Sequence, residues 1–195
     1  IFGIESGNQR VLNDIIDKRL DLDGVSPVAS WCKEIHLDTM AFFVIGFPGE
    51  TKQEMRDTID FALSLEKRFD VTPSLFIATP LPGTRLKELY LKEVSLKEEL
   101  TPQELARMTS GAFLLGTDRV REDEIKTLIK KFYRGHKLIF AYNSLIFLIR
   151  NPRAFLRFIV KCIEEKNPHG FKEKVFNLLQ FKNCLTRKFH SCISS

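Results

Sequence analysis

The sequence predicts an α/β protein made of β-turn-α units, followed by a helical region. Two observations lead to this prediction: short apolar runs alternate three times with amphipathic helical patterns before Leu86, and after Leu86 every pattern is helical. The composition agrees, because 44% hydrophobic and 28% charged residues in a chain of 195 are typical of a globular protein. It excludes a disordered chain, and no apolar run reaches the roughly 18 residues that a membrane-spanning helix needs.

Three apolar runs predict the strands: Ile1–Ile4, Met40–Ile45 and Leu75–Ala78. The middle run is continuous, which is typical of a parallel strand covered on both faces. Each run ends in a turn rich in Gly, Pro or Ser. The first run begins at residue 1 with no initiator Met, so we expect the chain to be a piece of a longer protein.

Helix signals lie between and after these runs. Val11–Ile16 has a helical pattern. Ser26 is the predicted N-cap, and Pro27 the first helical residue, of a helix that ends near Leu37; Thr51 and Glu54 predict a capping box. Further helices are expected from residue 101, from residue 122 to about 149 with a break near Gly135, and after the caps at 151–152 and 167–168.

Three β-turn-α units in succession indicate either a doubly wound sheet or part of a barrel. In both folds, ligands bind where the strands end. The candidate site is therefore the set of turns Gly3–Asn8, Gly46–Thr51 and Thr79–Thr84. Ordinary strand-to-helix turns are the alternative interpretation of each.

Each turn offers a different chemistry. The carboxylate of Glu5 and the hydroxyl of Ser6 suit a sugar diol. Phe47 and Pro48 offer apolar surface to a flat ring, between glycines that allow close backbone approach. The prolines of the third turn hold an extended path that leaves backbone groups free for a ligand. No Gly-Lys-Ser/Thr follows the second turn, so it is not a Walker loop.

Taken in order, the three motifs resemble the C-terminal half of a radical S-adenosylmethionine (SAM) enzyme core. The motifs are Gly-Ile-Glu-Ser-Gly-Asn, Phe-Phe-Val-Ile-Gly-Phe-Pro-Gly-Glu-Thr and Thr-Pro-Leu-Pro-Gly-Thr-Arg-Leu. The resemblance covers roughly residues 1–90 and is strongest to the branch that often carries a cobalamin-binding domain. It implies the last three β/α units of a partial, TIM-like (β/α) barrel in residues 1–119, followed by an all-helical extension in residues 120–195.

The resemblance also implies site residues and cofactors. Glu5 and Ser6, with Gly7, would face the ribose and amino-acid part of SAM; the segment from Val44 to Glu50 would pack on adenine; and the turn near Thr79 would complete the pocket. The implied SAM-binding residues are Glu5, Ser6, Gly7, Val44, Gly46, Phe47, Pro48, Gly49, Glu50, Thr79, Pro80 and Pro82. A 4Fe–4S cluster is implied for the whole protein, and cobalamin is an open question, as are the substrate and the reaction type.

The cysteines depart from the family pattern. The cluster of the family is held by a Cys-x3-Cys-x2-Cys loop, and this chain has only four scattered cysteines: Cys32, Cys162, Cys184 and Cys192. They are expected to be reduced thiols of a cytoplasmic protein. The cluster ligands are therefore expected upstream, and this chain alone is predicted to be catalytically inactive. The four histidines have no ligand spacing.

The C-terminal region is basic and rich in phenylalanine. From Lys126 onward there are 15 Lys/Arg against three acidic residues, and nine of the 17 Phe lie between Phe132 and Phe189. Arg150, Arg153, Arg157 and Lys161 recur at helical spacing. Phe packing onto the barrel explains this pattern, and so does association with a membrane surface; nucleic-acid binding is a weaker alternative. The rival to an enzyme fragment is thus a non-catalytic scaffold whose tail binds a membrane or a partner.

Overall fold

A sheet of three parallel strands organises the computed structural model of this chain. The strands are β1 (Phe2–Glu5), β2 (Met40–Ile45) and β3 (Thr72–Ile77), in the spatial order β1-β2-β3. The structure describes residues 1–93, 101, 103, 116–150 and 152. The predicted α/β class is confirmed. β3 begins earlier than its apolar run and includes Pro73, which an outer strand of a sheet tolerates.

Within the described residues, four α-helices and two short helical segments accompany the sheet. They are a π-helical segment (Val11–Ile16), a 3₁₀ segment (Leu22–Gly24), α1 (Val25–Glu34), α2 (Lys52–Phe69), α3 (Arg85–Glu93) and α4 (Glu122–Arg150). The predicted capping box of α2 is confirmed: Glu54 N–H donates to Thr51 Oγ1 at 3.3 Å, and Thr51 N–H donates to Glu54 Oε2 at 2.8 Å.

Two predictions about the helices are wrong. Ser26 is not an N-cap, because the 3₁₀ segment, capped by the Asp21 side chain, already carries the chain into helical conformation and α1 begins at Val25. Pro27 then lies in the first turn of α1, where the backbone needs no donor. α4 is unbroken at Gly135, and a Cβ there would lie 2.6 Å from Leu63 Cδ1. This glycine allows close packing instead of breaking the helix.

The helices bury one face of the sheet. Ala41, Phe43 and Ile45 of β2 are fully buried in a core that also contains Met55 and Ile59 of α2. Side chains of α1 and α4 complete this core: Ala29, Ile125, Leu128 and Phe132. Covering one face of a parallel sheet with the crossover helices is what consecutive β/α units do when each strand adds beside the previous one.

The opposite face of β2 is less buried than the sequence predicts. Met40 is 37% exposed, Phe42 and Val44 are half-buried, and Phe76 of β3 on the same side is 51% exposed. The prediction that β2 is covered on both faces is therefore wrong in the part of the chain that the structure describes. The apolar run instead marks one face packed on helices and one apolar open face.

The sequential strand order is compatible with a partial β/α fold, and so is the placement of the described helices on one face of the sheet. A doubly wound sheet would instead place helices on both faces. The TIM-like barrel stays a prediction.

The chain divides into two compact units, Ile1–His136 and Lys137–Ser195. The predicted boundary between 119 and 120 also stays a prediction.

In the second unit the structure describes 137–150 and 152, which are helical. Of the helix predicted to start at 101, the structure describes only residues 101 and 103. Of the cap predicted at 151–152 it describes only 152. The cap at 167–168 and the basic residues from Arg153 to Lys161 lie outside the described residues. Among the described helices, none is both long and apolar enough to cross a bilayer.

Candidate functional site

The three predicted turns are neighbours at one edge of the sheet. Because β1 pairs in parallel with β2, and β2 with β3, their carboxyl ends lie side by side. The pairing of β2 with β3 continues to the turns themselves, where Ala78 N–H donates to Ile45 O at 2.9 Å. The residues singled out from the sequence therefore occupy adjacent positions. Their contacts with a ligand stay predictions.

A β-bulge at the end of β1 turns the Glu5 side chain back over the strand. The register with β2 shifts between Gly3 and Glu5, and Glu5 has a φ of 71°, which side-chain-bearing residues rarely adopt. Glu5 Oε1 lies 2.9 Å from the position of a Cβ built on Gly3. Since Gly3 pairs with Phe42, the carboxylate lies on the open face of the sheet. Backbone outliers of this kind cluster at functional sites.

Lys18 accompanies Glu5 on this face. Its Nζ lies 3.4 Å from Glu5 Oε1 and donates a hydrogen bond to Gly3 O. Both side chains are about one-third exposed, so a ligand can reach them. Lys18 could not be recognised from the sequence, because nothing local distinguishes it from any other basic residue after a helical pattern.

Ser6 and Gly7 face the protein interior. Ser6 is fully buried; its Oγ lies 3.0 Å from Thr58 Oγ1 and accepts from Asn8 N–H at 3.1 Å. Gly7 N–H donates to Thr58 Oγ1, and a Cβ on Gly7 would lie 2.7 Å from Phe61 Cβ and 2.8 Å from Thr58 Cα. In this structure both residues seat the first turn against α2. The ligand contacts predicted for them remain untested.

Glu50 organises the second turn from within. It is fully buried, and its Oε2 accepts from Gly46 N–H at 2.7 Å and from Phe47 N–H at 3.1 Å. Burial raises the pKa of Glu50 to about 7, although these two hydrogen bonds oppose the shift. Its Oε1 has no hydrogen-bond partner within the described structure. Pro48 beside it is buried and Phe47 is half-buried.

Three side chains from distant segments also hold the second turn. Tyr90 of α3 is buried and its hydroxyl donates to Gly46 O at 2.5 Å. Arg10 Nη2 donates to Gly49 O at 3.1 Å, and Gly49 N–H donates to Asp118 Oδ1 at 2.7 Å. Burial, together with the nearby Glu50, raises the pKa of Tyr90, so its phenol keeps its proton. None of the three could be recognised from the sequence, because they lie 39 to 69 residues from their partners.

The third turn is held by bonds between near neighbours in the sequence. Thr79 Oγ1 donates to Ile77 O at 3.0 Å, and Leu81 N–H donates to Thr79 O at 2.9 Å. Pro80 is buried, whereas Pro82 is exposed. Of the two prolines predicted to contact the ligand, Pro80 therefore lies inside the protein and Pro82 at its surface.

The open face of the sheet is apolar next to the Glu5–Lys18 pair. Phe42 and Phe76 meet edge to face with 5.5 Å between their ring centroids, and Val44 pairs with Phe76 in register. This surface can take a flat or apolar group, while the carboxylate can accept from hydroxyls and the ammonium can donate to an anion. Polar recognition and apolar packing are therefore available at the same edge.

The chain does not fit a 4Fe–4S cluster by itself. Its four cysteines lack the required spacing, and Cys32, the one described, is buried. Within the described residues no group of three or more His, Cys, Asp or Glu side chains is placed to hold a metal ion.

Known proteins named as methyltransferases are similar to this chain. An uncharacterized methyltransferase of Pyrococcus horikoshii is 41% identical over 88 residues, which are 45% of this chain and 18% of that protein. The cytidylyl-2-hydroxyethylphosphonate methyltransferase of Streptomyces wedmorensis is 33% identical over 141 residues, 68% of this chain and 25% of that protein. No protein-family model matches the chain.

The chain therefore spans about a fifth to a quarter of the length of these curated relatives. Their names fit the resemblance found in the sequence at a coarse level, as a SAM-related enzyme fragment. The radical SAM family, the cobalamin branch and the iron–sulfur cluster are finer statements that these similarities leave as predictions.

Proposed function

We propose that this chain supplies part of a SAM-binding pocket in a radical SAM enzyme that acts in methyl transfer. The sheet would be the last three strands of a partial β/α barrel, with its open face turned to the interior of that barrel. Ligands of such folds bind at the carboxyl ends of the strands, where the three turns lie. The proposal gives this chain a binding and orienting role, and the radical chemistry belongs to the cofactors.

One observation carries the proposal: the Glu5–Lys18 pair lies on the open face at the carboxyl edge, placed there by a bulge and a left-handed residue. A carboxylate in this position can accept hydrogen bonds from both hydroxyls of a ribose. A turn that only connected β1 to the next helix would need neither the left-handed backbone of Glu5 nor its partly exposed ion pair with Lys18.

The second turn and the apolar face suit the adenine ring of SAM. Val44 lies on the open face, and Phe47 and Pro48 follow in a turn whose backbone is held by Glu50. A flat aromatic ring gains most from apolar surface that is already in place. Thr79, which is half-buried, lies on the neighbouring turn, where it would close the pocket, and the buried Pro80 would support it from within.

The relatives support methyl transfer as the reaction class. Both are named methyltransferases, and SAM is a common methyl donor of such enzymes. Since the cysteines of this chain do not fit a 4Fe–4S cluster, the proposal requires that the cluster ligands belong to another part of the protein. A cobalamin would likewise be bound elsewhere.

SAM binding to the full 195-residue chain tests this function. Saturation-transfer NMR detects weak binding, which suits a pocket of which this chain supplies only part. We expect the unmodified chain to bind SAM and the Glu5→Gln variant to bind it about tenfold more weakly. Loss of charge-assisted hydrogen bonds costs about 1.4 kcal/mol, which corresponds to that factor.

The matched control is Glu34→Gln at the end of α1, an exposed carboxylate that accepts from Ser30 Oγ at 3.1 Å. It should leave SAM affinity unchanged. The absence of any SAM signal at millimolar ligand would overturn the proposed function. Equal affinity of the Glu5→Gln variant and the unmodified chain would remove Glu5 from the site.

A further inference from the structure

The peptide groups of Gly49 are held from both sides by charged side chains. Its carbonyl accepts from Arg10 Nη2 at 3.1 Å, and its N–H donates to Asp118 Oδ1 at 2.7 Å. Gly49 has a φ of +80°, so the chain turns sharply here. A glycine in a partly exposed turn normally has more conformational freedom than its neighbours in the backbone. Two charge-assisted bonds from segments far apart in the sequence restrain this one.

Arg10, which follows the first turn by two residues, links the second turn to α2. Its Nε and Nη2 lie 2.5 Å and 2.7 Å from the two carboxylate oxygens of Glu54, in a bidentate arrangement. Glu54 is also the capping-box residue of α2. The hydrogen bond from Arg10 lowers the pKa of Glu54 to about 2, so this carboxylate stays charged at neutral pH. The guanidinium that reaches Gly49 is thereby fixed in orientation.

Asp118 is positioned just as firmly. It lies in a short loop closed by Thr117 N–H donating to Val120 O at 2.8 Å, and Val120 is buried in the core. The loop leads into α4, whose Glu124 pairs with Lys52 of α2 at 2.7 Å. The loop is thus anchored on both sides of the carboxylate.

We propose that Arg10 and Asp118 are positioning residues for the ligand of the second turn. They hold the Gly49 peptide so that the segment from Gly46 to Glu50 presents a fixed backbone and a fixed apolar surface. Without them the turn has to be ordered when the ligand binds, and affinity falls by the cost of that ordering. This inference rests on the proposed function, because it concerns the same SAM pocket.

Variants of Asp118 separate positioning from mere stability. Asp118→Ala removes the acceptor, whereas Asp118→Asn keeps a side-chain oxygen that can accept from Gly49 N–H. We expect Asp118→Ala to weaken SAM binding about five- to tenfold, the effect of one lost hydrogen bond of about 1 to 1.4 kcal/mol. Asp118→Asn should recover most of the affinity. Arg10→Ala should weaken binding similarly and Arg10→Lys should rescue it only in part.

Hydrogen exchange of the Gly49 amide, measured without ligand, provides a readout that does not depend on SAM. Exchange should quicken severalfold in Asp118→Ala and stay slow in Asp118→Asn. Asp60→Asn is the control: this exposed carboxylate pairs with Lys131 at 2.8 Å, away from the turn, and its loss should change neither readout.

The outcomes are distinct. If the unmodified chain binds SAM and Asp118→Ala binds it equally well, this inference is overturned and the proposed function stands. A lower melting temperature with unchanged affinity also overturns it, because that result indicates a purely structural role. If the unmodified chain does not bind SAM, the proposed function itself fails, and the positioning role fails with it.

Discussion

The second and third turns look alike in sequence and are built differently. Both combine glycine with proline directly after a strand. The second turn is held by a buried carboxylate of its own, Glu50, and by Tyr90, Arg10 and Asp118 from other segments. Among the residues that the structure describes, the third turn is held by short-range bonds such as that from Thr79 to Ile77.

This difference has a physical consequence for binding. A turn fixed by remote side chains keeps its shape as long as the whole fold is intact, so a ligand meets a surface that is already ordered. A turn held by its nearest neighbours in the chain can change shape without disturbing the core. We therefore expect the second turn to be the rigid wall of the site and the third turn to adjust to the ligand.

The largest expected effect is the loss of Glu50. Glu50→Ala leaves the N–H groups of the buried Gly46 and the half-buried Phe47 without their acceptor, at about 2 kcal/mol each. At pH 5, where the folded protein keeps Glu50 protonated, unfolding by urea should therefore show a destabilisation of about 4 kcal/mol. Thr79→Ala in the third turn is the matched change and should cost less than about 1 kcal/mol. Similar losses for the two variants would contradict the contrast between the turns.

The next effect is a pH dependence that originates in the second turn. The pKa of Glu50 is raised to about 7 from an ordinary value near 4.5, so the folded protein binds a proton that the unfolded chain has already lost. Stability contributed by this group is complete below pH 4.5 and falls as the pH rises to about 7, by about 3 kcal/mol in total.

Urea unfolding of the protein and of Glu50→Gln, compared at each pH between 4.5 and 8, isolates this contribution, since other titrating groups cancel in the difference. The free energy of unfolding of the unmodified protein minus that of Glu50→Gln should fall as the pH increases. A difference that is constant with pH would show that Glu50 does not titrate in this range.

The smallest effect concerns the backbone of the third turn. Gly83 has a φ of +77° with nothing within 4 Å of the position of its Cβ, so Gly83→Ala should cost only the strain of a left-handed residue, about 1 kcal/mol. Gly24→Ala has equal space and a φ of −73°, and should be neutral or slightly stabilising. Thermal unfolding of both variants checks this. A loss at Gly83 well above that of a strained alanine would mean that the third turn is as tightly built as the second.

The sequence predicted those parts of the fold that depend on local patterns. The apolar run Met40–Ile45 matches β2, and the capping box of Thr51 and Glu54 begins α2 as expected. The prediction of Ser26 as an N-cap was wrong because the 3₁₀ segment Leu22–Gly24 leads directly into α1, which begins before Ser26. The exposure of Phe76 could not be read from an apolar run, since periodicity does not tell how many faces of a sheet are covered.

The candidate site was only partly predictable for the same reason. Turn residues such as Glu5 and Glu50 are marked by their place after a strand. Their supporting residues, Lys18, Arg10 and Asp118, are single charged side chains whose roles come from tertiary placement alone. Ser6 and Gly7 show the converse: a residue in the expected place can serve helix packing, as the close approach of Gly7 to Thr58 shows.

The bond between Gly49 and Asp118 also sets an order of events during synthesis. Because the chain is made from its N-terminus, all three strands leave the ribosome before Asp118 does, and 69 residues separate the two partners. The strands can pair through neighbouring units, whereas the second turn lacks its last restraint until the loop before α4 arrives. The sheet can therefore form before the proposed binding surface, which gains this restraint only after the chain has grown well past the sheet.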